Sequence, residues 1–288
     1  MTSIIKEDTN YLEVKIDNIN PFNIKVFNTI RRLILSEIPV YGFHPDNINI
    51  DSNTGVLHND IIRHRISGLP IQLLKETNNE HLNISININI KNDNNDGQNL
   101  EVNTDNCIVK VNNNIRKNMF PSPPIIICNL KENQELVLNA VANYDKGAVN
   151  ANYYDVGYSY FWEREKENII VLTIEGKGQL ECKDIFNKAC NIYIEKLKEV
   201  QNKFHEHENI EKYNMEIMIE NENYTMGDLL LYEIQNNKNI EFASFKKEHQ
   251  SVNNIIININ TNKSKTVKQI VDQSIKKLSD LFFDIQLK

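Results

Sequence analysis

Cysteine is scarce in this chain. Only Cys107, Cys128, Cys182 and Cys190 occur in 288 residues, and no two of them form a Cys-x-x-Cys pair. That spacing excludes a zinc ribbon and a thioredoxin-type redox motif, so buried reduced thiols are expected. Long apolar runs are missing too. None reaches the roughly 20 residues that a bilayer-spanning helix needs. The opening "MTSIIKEDTN" has no apolar stretch of signal-peptide length, so an intracellular protein with no membrane role is expected. Positive charge is also in short supply, with a formal net charge of −7. Proteins that grip nucleic acid do so by clustering Lys and Arg against phosphates, so direct nucleic-acid binding is not expected. A place within a nucleic-acid machine is not excluded by that balance. Catalytic signals are equally thin. "GKG" (176–178) is too short for a phosphate loop, and no nucleophile–base arrangement stands out. His205 and His207 flank Glu206 in a charged stretch that reads as a solvated linker rather than a metal site.

What is present is a core-forming pattern that occurs twice. Hydrophobic residues make up 40% and charged residues 25%, ordinary for a globular protein long enough for two domains. "YLEVKID" (11–17) alternates at strand period. Val26, Phe27, Ile30, Leu33 and Ile34 then recur at helical spacing up to Pro39, and "VYGFHPDNINI" (40–50) reads as extended. The middle, about 51–165, is β-rich with long connections, including the strand "HLNISININI" (81–90) and the polar loop "KNDNNDGQN" (91–99). From 168 the opening pattern resumes. "NIIVLTIEG" (168–176) is an apolar strand, and 180–204 forms a long amphipathic helix with Ile185, Ala189, Ile192, Leu197, Val200 and Phe204 on one stripe. The last 75 residues or so repeat the scheme without interruption. They give a strand at 213–220, a helix at 225–237 with Thr225 as candidate N-cap, strands at 240–249 and 253–261, and a long helix at 264–285. Val267, Ile270, Ile275, Leu278, Phe282 and Ile285 mark its apolar stripe. The fold expected is therefore α+β: two copies of one unit, the first split by a β-rich insertion, paired about a pseudo-twofold axis.

The residues that carry function sit in short ordered motifs. Asn28, Ile30, Arg31, Arg32, Ile38 and Pro39 are followed by Asp60, His64, Arg65 and Ser67-Gly68-Leu69-Pro70. A Lys-x-x-Gln-Glu-Leu strand then precedes a Lys-Gly-x-Ala loop within 127–163. This series resembles the RNA polymerase alpha-subunit family, in particular the eukaryotic subunit three and its archaeal D-like counterpart. Near the end, Thr225 to Leu230 and Glu241 to Phe245 resemble the small partner in that family, the eukaryotic subunit eleven or its archaeal L-like counterpart.

The resemblance implies a natural fusion of the two alpha-like subunits, of a kind found in large DNA viruses of eukaryotes. It implies residues 1–50 and 166–206 as the first dimerisation unit, 51–165 as the insertion domain and 207–288 as the second unit. It implies a non-catalytic assembly platform that nucleates docking of the largest and second-largest catalytic subunits, with small zinc-binding subunits (subunit-ten-like) as further partners. If the source is viral, the expected location is the host cytoplasm, in a virus factory, and the virion. No catalytic residue, cofactor or metal is expected, because Cys107 and Cys128 alone cannot supply the four thiolates of a zinc or iron–sulfur site in the insertion. Subunit-interface candidates are Arg31, Arg32, Leu35, His64 and Arg65. Intramolecular dimerisation is expected to use Ile30, Leu33, Ile34, Ile192, Leu197, Gly227, Leu230, Ile275, Leu278 and Phe282, through a largely apolar surface. Two readings from other classes compete: an enzyme on an α+β scaffold, and a partner-binding module outside transcription. Phe27 stands where the second copy has Gly227, so the two helix crossings are not expected to be equivalent.

Overall fold

The computed structural model describes residues 2–72, 82–94, 97–150, 156–206, 212–247, 249 and 252–287. The chain divides into two compact units. Residues 1–35, 158–175 and 182–288 form the first, and residues 36–157 with 176–181 form the second. Elements are numbered along the chain.

In the first unit, β1 (Thr2–Asp8) and β2 (Tyr11–Asp17) make an antiparallel hairpin. Alternation buries Leu12, Val14 and Ile16 and leaves their neighbours at the margin. Asn18 then adopts φ 68°, a left-handed conformation that asparagine tolerates, and ends the strand. Helix α1 (Pro21–Ser36) follows, with the Asn20 side chain accepting from the Asn23 amide at 2.8 Å. Pro21 sits in the first turn, where its missing N–H has no partner to lose. The sheet order is β1-β2-β11-β10, with β10 (Val156–Arg164) at one edge and β11 (Ile169–Gly176) inside. β11 is buried on both faces from Ile169 to Ile174, which explains its continuous apolar run. Helix α3 (Cys182–Glu206) closes the first copy.

The second copy lies in the same unit. It comprises β12 (Asn214–Glu220), α4 (Tyr224–Gln235), β13 (Ile240–Lys247), β14 (Asn254–Thr261) and α5 (Val267–Asp284), with sheet order β12-β14-β13. Its details repeat those of the first. Asn221, after β12, has φ 59°, as Asn18 does after β2. Lys263 has φ 66° where the first copy has Gly178 at φ 101°, before the long helix. Buried positions on α3 and α5 coincide with a constant offset of 85, from Ile185 with Ile270 to Leu197 with Phe282. Helices α3 and α5 pack antiparallel. Tyr193 meets Phe282 with ring centroids 4.4 Å apart, while Gln201 Nε2 donates to Asp272 Oδ1 at 2.6 Å toward the other end.

The second unit begins earlier than the sequence suggests. Strand β3 (Pro39–Asn53) does not join the first unit's sheet; it pairs with β9 (Glu135–Lys146) from Pro39↔Lys146 to Asn53↔Leu136. The insertion therefore opens just after α1 and closes at 157, rather than running from 51 to 165. The physical reason is burial. Val40, Tyr41, Phe43 and Ile48 need an apolar partner face, and β9 supplies one through Leu136, Leu138, Ala140 and Ala142. The strand that corresponds to β13 in the first copy is β10, since both flank the strand that precedes the long helix. A five-stranded sheet, β3-β9-β4-β6-β7, includes β4 (Ile84–Lys91), β6 (Ile108–Val111) and β7 (Asn114–Arg116). A two-stranded ribbon pairs β5 (Leu100–Asn103) with β8 (Ile126–Leu130). Helix α2 (Asn59–Ser67) packs on β3 and β8 through Ile62 and Ile66. Just after β4 the chain is anchored at Asn92. Asn92 is fully buried, and its Nδ2 donates to the carbonyls of Gln98 and Leu130, each at 3.0 Å.

Candidate subunit interface

Arginines 31 and 32 lie on the solvent side of α1, behind a buried stripe of Val26, Phe27, Ile30, Leu33 and Ile34. Arg31 is half-buried and folded back. Its Nε and Nη2 donate to Asn28 Oδ1 at 3.3 and 2.9 Å. Burial, and then the adjacent Arg32 charge, pull its guanidinium below the ordinary value. Arg32 is exposed, and Leu35 is partly exposed on the last turn. The adjacent arginines differ in burial: Arg31 is half-buried and anchored on Asn28, and Arg32 is the more exposed of the two.

The corresponding helix α4 carries Leu231 and Tyr232 at those positions, and both point inward more than the arginines do. Tyr232 stacks on Phe22 of α1, with centroids 5.9 Å apart at 30°. Lys25 Nζ lies 5.7 Å from the centre of the same ring and 2.6 Å from both carboxylate oxygens of Asp228. Gly227 sits at the crowded part of α4. A methyl there would meet the Phe245 ring of β13 at 3.1 to 3.3 Å, so the glycine permits this close approach of helix to sheet. Phe27, its counterpart, is wholly buried. The N-cap of α4 is Asn223, which accepts from the Thr225 amide at 2.8 Å; Thr225 is therefore a residue inside the first turn rather than the cap.

Of the expected dimerisation residues, Ile30, Leu33, Ile34, Leu197, Leu230, Ile275, Leu278 and Phe282 are all buried in the first unit. Ile192 is only half-buried. The stripe on α3 runs through Tyr193 instead, one position on, because successive helical residues turn by 100° and Ile185, Ala189 and Leu197 set the phase. Tyr193 is fully buried, and its hydroxyl has no hydrogen-bond partner among the described residues. Burial, then the charges of Glu222 and Asp228, push its ionisation far above the usual phenol range.

Polar contacts that periodicity does not reveal complete the surface between the two copies. Lys196 of α3 pairs with the buried Glu222 at 2.8 Å, and His205 Nε2 lies 2.9 Å from Asp272 Oδ1 on α5. Within the second copy, Lys277 holds the buried Glu233 at 2.6 Å. The expected interface is apolar at its centre and polar at these points. No sequence signal could have singled out Lys25, Lys196, Glu222 or Asp228, since each sits in a helix or turn of ordinary charge density and becomes special only through a residue on another element. Of the expected linker, His205 and Glu206 are instead the last residues of α3, and His207 onward lies outside the described residues.

In the second unit, His64 and Arg65 lie on the last turn of α2. The His64 carbonyl accepts from the Gly68 amide at 3.2 Å and from Ser67 Oγ at 2.9 Å, and its ring is exposed. Arg65 Nη1 donates to the Ile127 carbonyl of β8 at 2.7 Å. Its guanidinium borders a shallow pocket of about 280 Å³ lined also by Val56, Leu57, Asn99, Asn129 and Lys131. Cys107 and Cys128 belong to this unit. Burial, then Asp105, pushes the Cys107 thiol up to about 12, and burial raises Cys128 despite Arg65. Among the described residues, no group of three or more His, Cys, Asp or Glu side chains is arranged to hold a metal, and no helix is long and apolar enough to cross a membrane.

A split α+β unit and an unbroken copy of it lie together in one compact unit, the arrangement of a dimerisation domain paired with its like. Comparison with known proteins agrees. The model of the RNA polymerase Rpb3/Rpb11 dimerisation domain matches residues 18–197, and a second model of the same description matches residues 214–287. The chain belongs to the RNA polymerase Rpb3/Rpb11 dimerisation-domain family, and it carries both domains in a single polypeptide. It is also similar to a protein of Acanthamoeba polyphaga mimivirus named a "putative DNA directed RNA polymerase subunit", with 22% identity over 280 residues that cover 82% of this chain and 78% of the relative. The long span of the first match, 18–197, is the expected signature of a domain interrupted by an insertion.

Proposed function

We propose that this protein is the non-catalytic assembly platform of a multisubunit DNA-dependent RNA polymerase, and that it receives the two large catalytic subunits on unlike faces. The observation that carries the reading is the asymmetry of the paired helices. Helix α1 carries the exposed Arg32 beside the half-buried Leu35, whereas at the position of Arg32 helix α4 carries the half-buried Tyr232, stacked on Phe22. A homodimer would offer two identical docking faces; this pair does not, because Arg31 and Arg32 stand where the second copy has the inward-facing Leu231 and Tyr232. Arginine suits a docking role because its planar fork makes several directed hydrogen bonds. On this reading Arg31, Arg32 and Leu35 face the second-largest subunit, and the C-terminal copy lies nearer the largest. His64 and Arg65 add a contact from the insertion, and a small zinc-binding subunit completes the platform. Nucleic acid is held by the catalytic subunits and not by this acidic chain. The mimivirus relative supports a viral polymerase, one that on this reading acts in the host cytoplasm.

The test is Arg32→Ala. An interface arginine buried against carboxylates or carbonyls is worth about 2–4 kcal/mol on truncation. The variant is expected to keep its melting temperature and to lose capture of the second-largest subunit in a pull-down, while Tyr232→Ala shows no such selective loss. Normal assembly of Arg32→Ala, or unfolding of the free variant, sinks the docking-face reading.

A further inference from the structure

The two copies correspond closely along their sheets and differ at one edge. Strand β12 follows β2 at an offset of 203: Met215, Ile217 and Ile219 are buried where Leu12, Val14 and Ile16 are. The strand before each long helix keeps the same register, since Leu172↔Val14 recurs as Ile257↔Ile217. In the first copy β2 is an interior strand, with β11 on one side and β1 on the other. In the second copy the order is β12-β14-β13, and among the described residues no strand lies on the outer side of β12. An edge strand presents a row of unpaired backbone N–H and C=O groups. The chain covers the counterpart of this edge in its own first copy, with the seven residues Thr2–Asp8.

Natural edges are usually blunted by lysine, proline or a bulge. The other outer strand of the sheet, β13, has such devices: Lys246 and Lys247 near its end, and a shift in register between Ile240 and Phe242. Strand β12 has none of them. It holds register with β14 from Asn214↔Asn260 to Glu220↔Asn254 without a shift, and it contains neither lysine nor proline. Its outward face carries Glu216, Met218 and Glu220, all exposed, with Met218 at 46%. Glu216 is met within the sheet by a neutral amide, Asn258 Nδ2 at 3.1 Å. In the first copy Glu13 stands where Glu216 does, and the covering strand sets Lys6 opposite it. The same strand sets Ile4 opposite the buried Val14.

We propose that the β12 edge accepts an extended, antiparallel strand from another polypeptide, matching the seven residues of β12. That strand carries Lys or Arg opposite Glu216 and Glu220, and apolar residues opposite Met218 and the inward positions. Backbone hydrogen bonds supply the binding, and the alternating side chains supply the choice of partner. A second copy of this chain fits poorly. Two β12 strands laid antiparallel about Met218 set Glu216 opposite Glu220 twice, and like charges directly opposite destabilise a strand pair. The edge is separate from Arg31, Arg32 and Leu35 on α1, so a strand can bind it whether or not those residues dock a catalytic subunit.

The experiment uses the full chain and the synthetic peptide Lys-Ile-Val-Ile-Lys-Val-Thr, blocked at both ends. Site-resolved hydrogen exchange is expected to slow in β12 when the peptide is added and to stay unchanged in β13. No slowing in β12 at millimolar peptide, or slowing in β13 instead, overturns the proposal. A version with both lysines replaced by glutamate should bind about tenfold more weakly, and Glu216→Lys with Glu220→Lys in the chain should reverse that preference. Equal binding of the two peptides refutes the charge selection. Only every second amide of a strand faces a given neighbour, so of two versions N-methylated at alternate amides one should bind and the other should not. Equal binding of those two refutes a backbone ladder. A chain that dimerises in solution, and loses the dimer on Met218→Lys, assigns the edge to a second copy and overturns the partner proposed.

Discussion

Replacing Tyr193 with phenylalanine removes one oxygen from the middle of the α3–α5 packing. The side chain is fully buried, its hydroxyl has no partner among the described residues, and its ring lies 4.4 Å from that of Phe282 at 33°. The ring stack survives the change, because phenylalanine keeps the same rotamer and volume. What is lost is the penalty of a desolvated donor, about 1–3 kcal/mol when nothing accepts from it. The neighbouring charges of Glu222 and Asp228 disfavour an ionised phenolate and give no reason to keep the oxygen. Tyr193→Phe is therefore expected to stabilise the protein by about 1–2 kcal/mol. At about 2–4 °C per kcal/mol for a domain of this size, calorimetry should show a clear rise in melting temperature. Phe282→Ala is the opposing control. It deletes the other ring of the stack and should cost about 3–5 kcal/mol. A Tyr193→Phe variant that melts lower than the parent, with Phe282→Ala behaving as expected, would refute the reasoning: the hydroxyl would then be making a bond that stabilises the packing.

Two more outcomes follow from the geometry. Gly227→Ala gains helix propensity of about 1 kcal/mol but drives a methyl into the Phe245 ring, so a lower melting temperature is expected, with recovery when Phe245→Leu is added; no loss in the single variant would show that the ring gives way. The raised thiol of Cys107 should make stability fall with alkali. The folded state keeps its proton while the unfolded chain loses it, so this contribution is full below about pH 9 and drains away as pH climbs toward 12. Cys107→Ser should flatten that slope in melts between pH 8 and 10.5, and an unchanged slope would assign the alkaline loss elsewhere.

Much of the fold could be read along the chain because the two copies are built on strong local periods. "YLEVKID" marks β2 to the residue, and the stripes from Ile185 and Ile270 mark the long helices to within three residues at each end. The miss at β3 has a nonlocal cause. "VYGFHPDNINI" looks extended in either unit, and only its pairing with β9, about 100 residues on, decides where it belongs. β1 escaped notice because its residues are mostly exposed and show no alternation to detect. The candidate site follows the same rule. Arg31 and Arg32 stand out as charges inside an apolar helix, whereas Lys196 and Glu222 become a pair only after α3 is folded against the turn between β12 and α4.

The early opening of the insertion bears on the order in which the chain can fold. Strand β2 pairs with β11 at Asp17↔Ile169, a contact across about 150 residues whose closure as a flexible loop would cost roughly 4 kcal/mol of chain entropy. Yet the two described ends of the insertion already meet. Pro39 is paired with Lys146, and the Ala148 amide donates to the Ser36 carbonyl at 2.8 Å. With its own ends already paired, a folded insertion would shorten the effective loop between β2 and β11. The pairing of β2 with β11 then becomes nearly local. The second copy, contiguous and made after the first, would find a finished surface waiting for it.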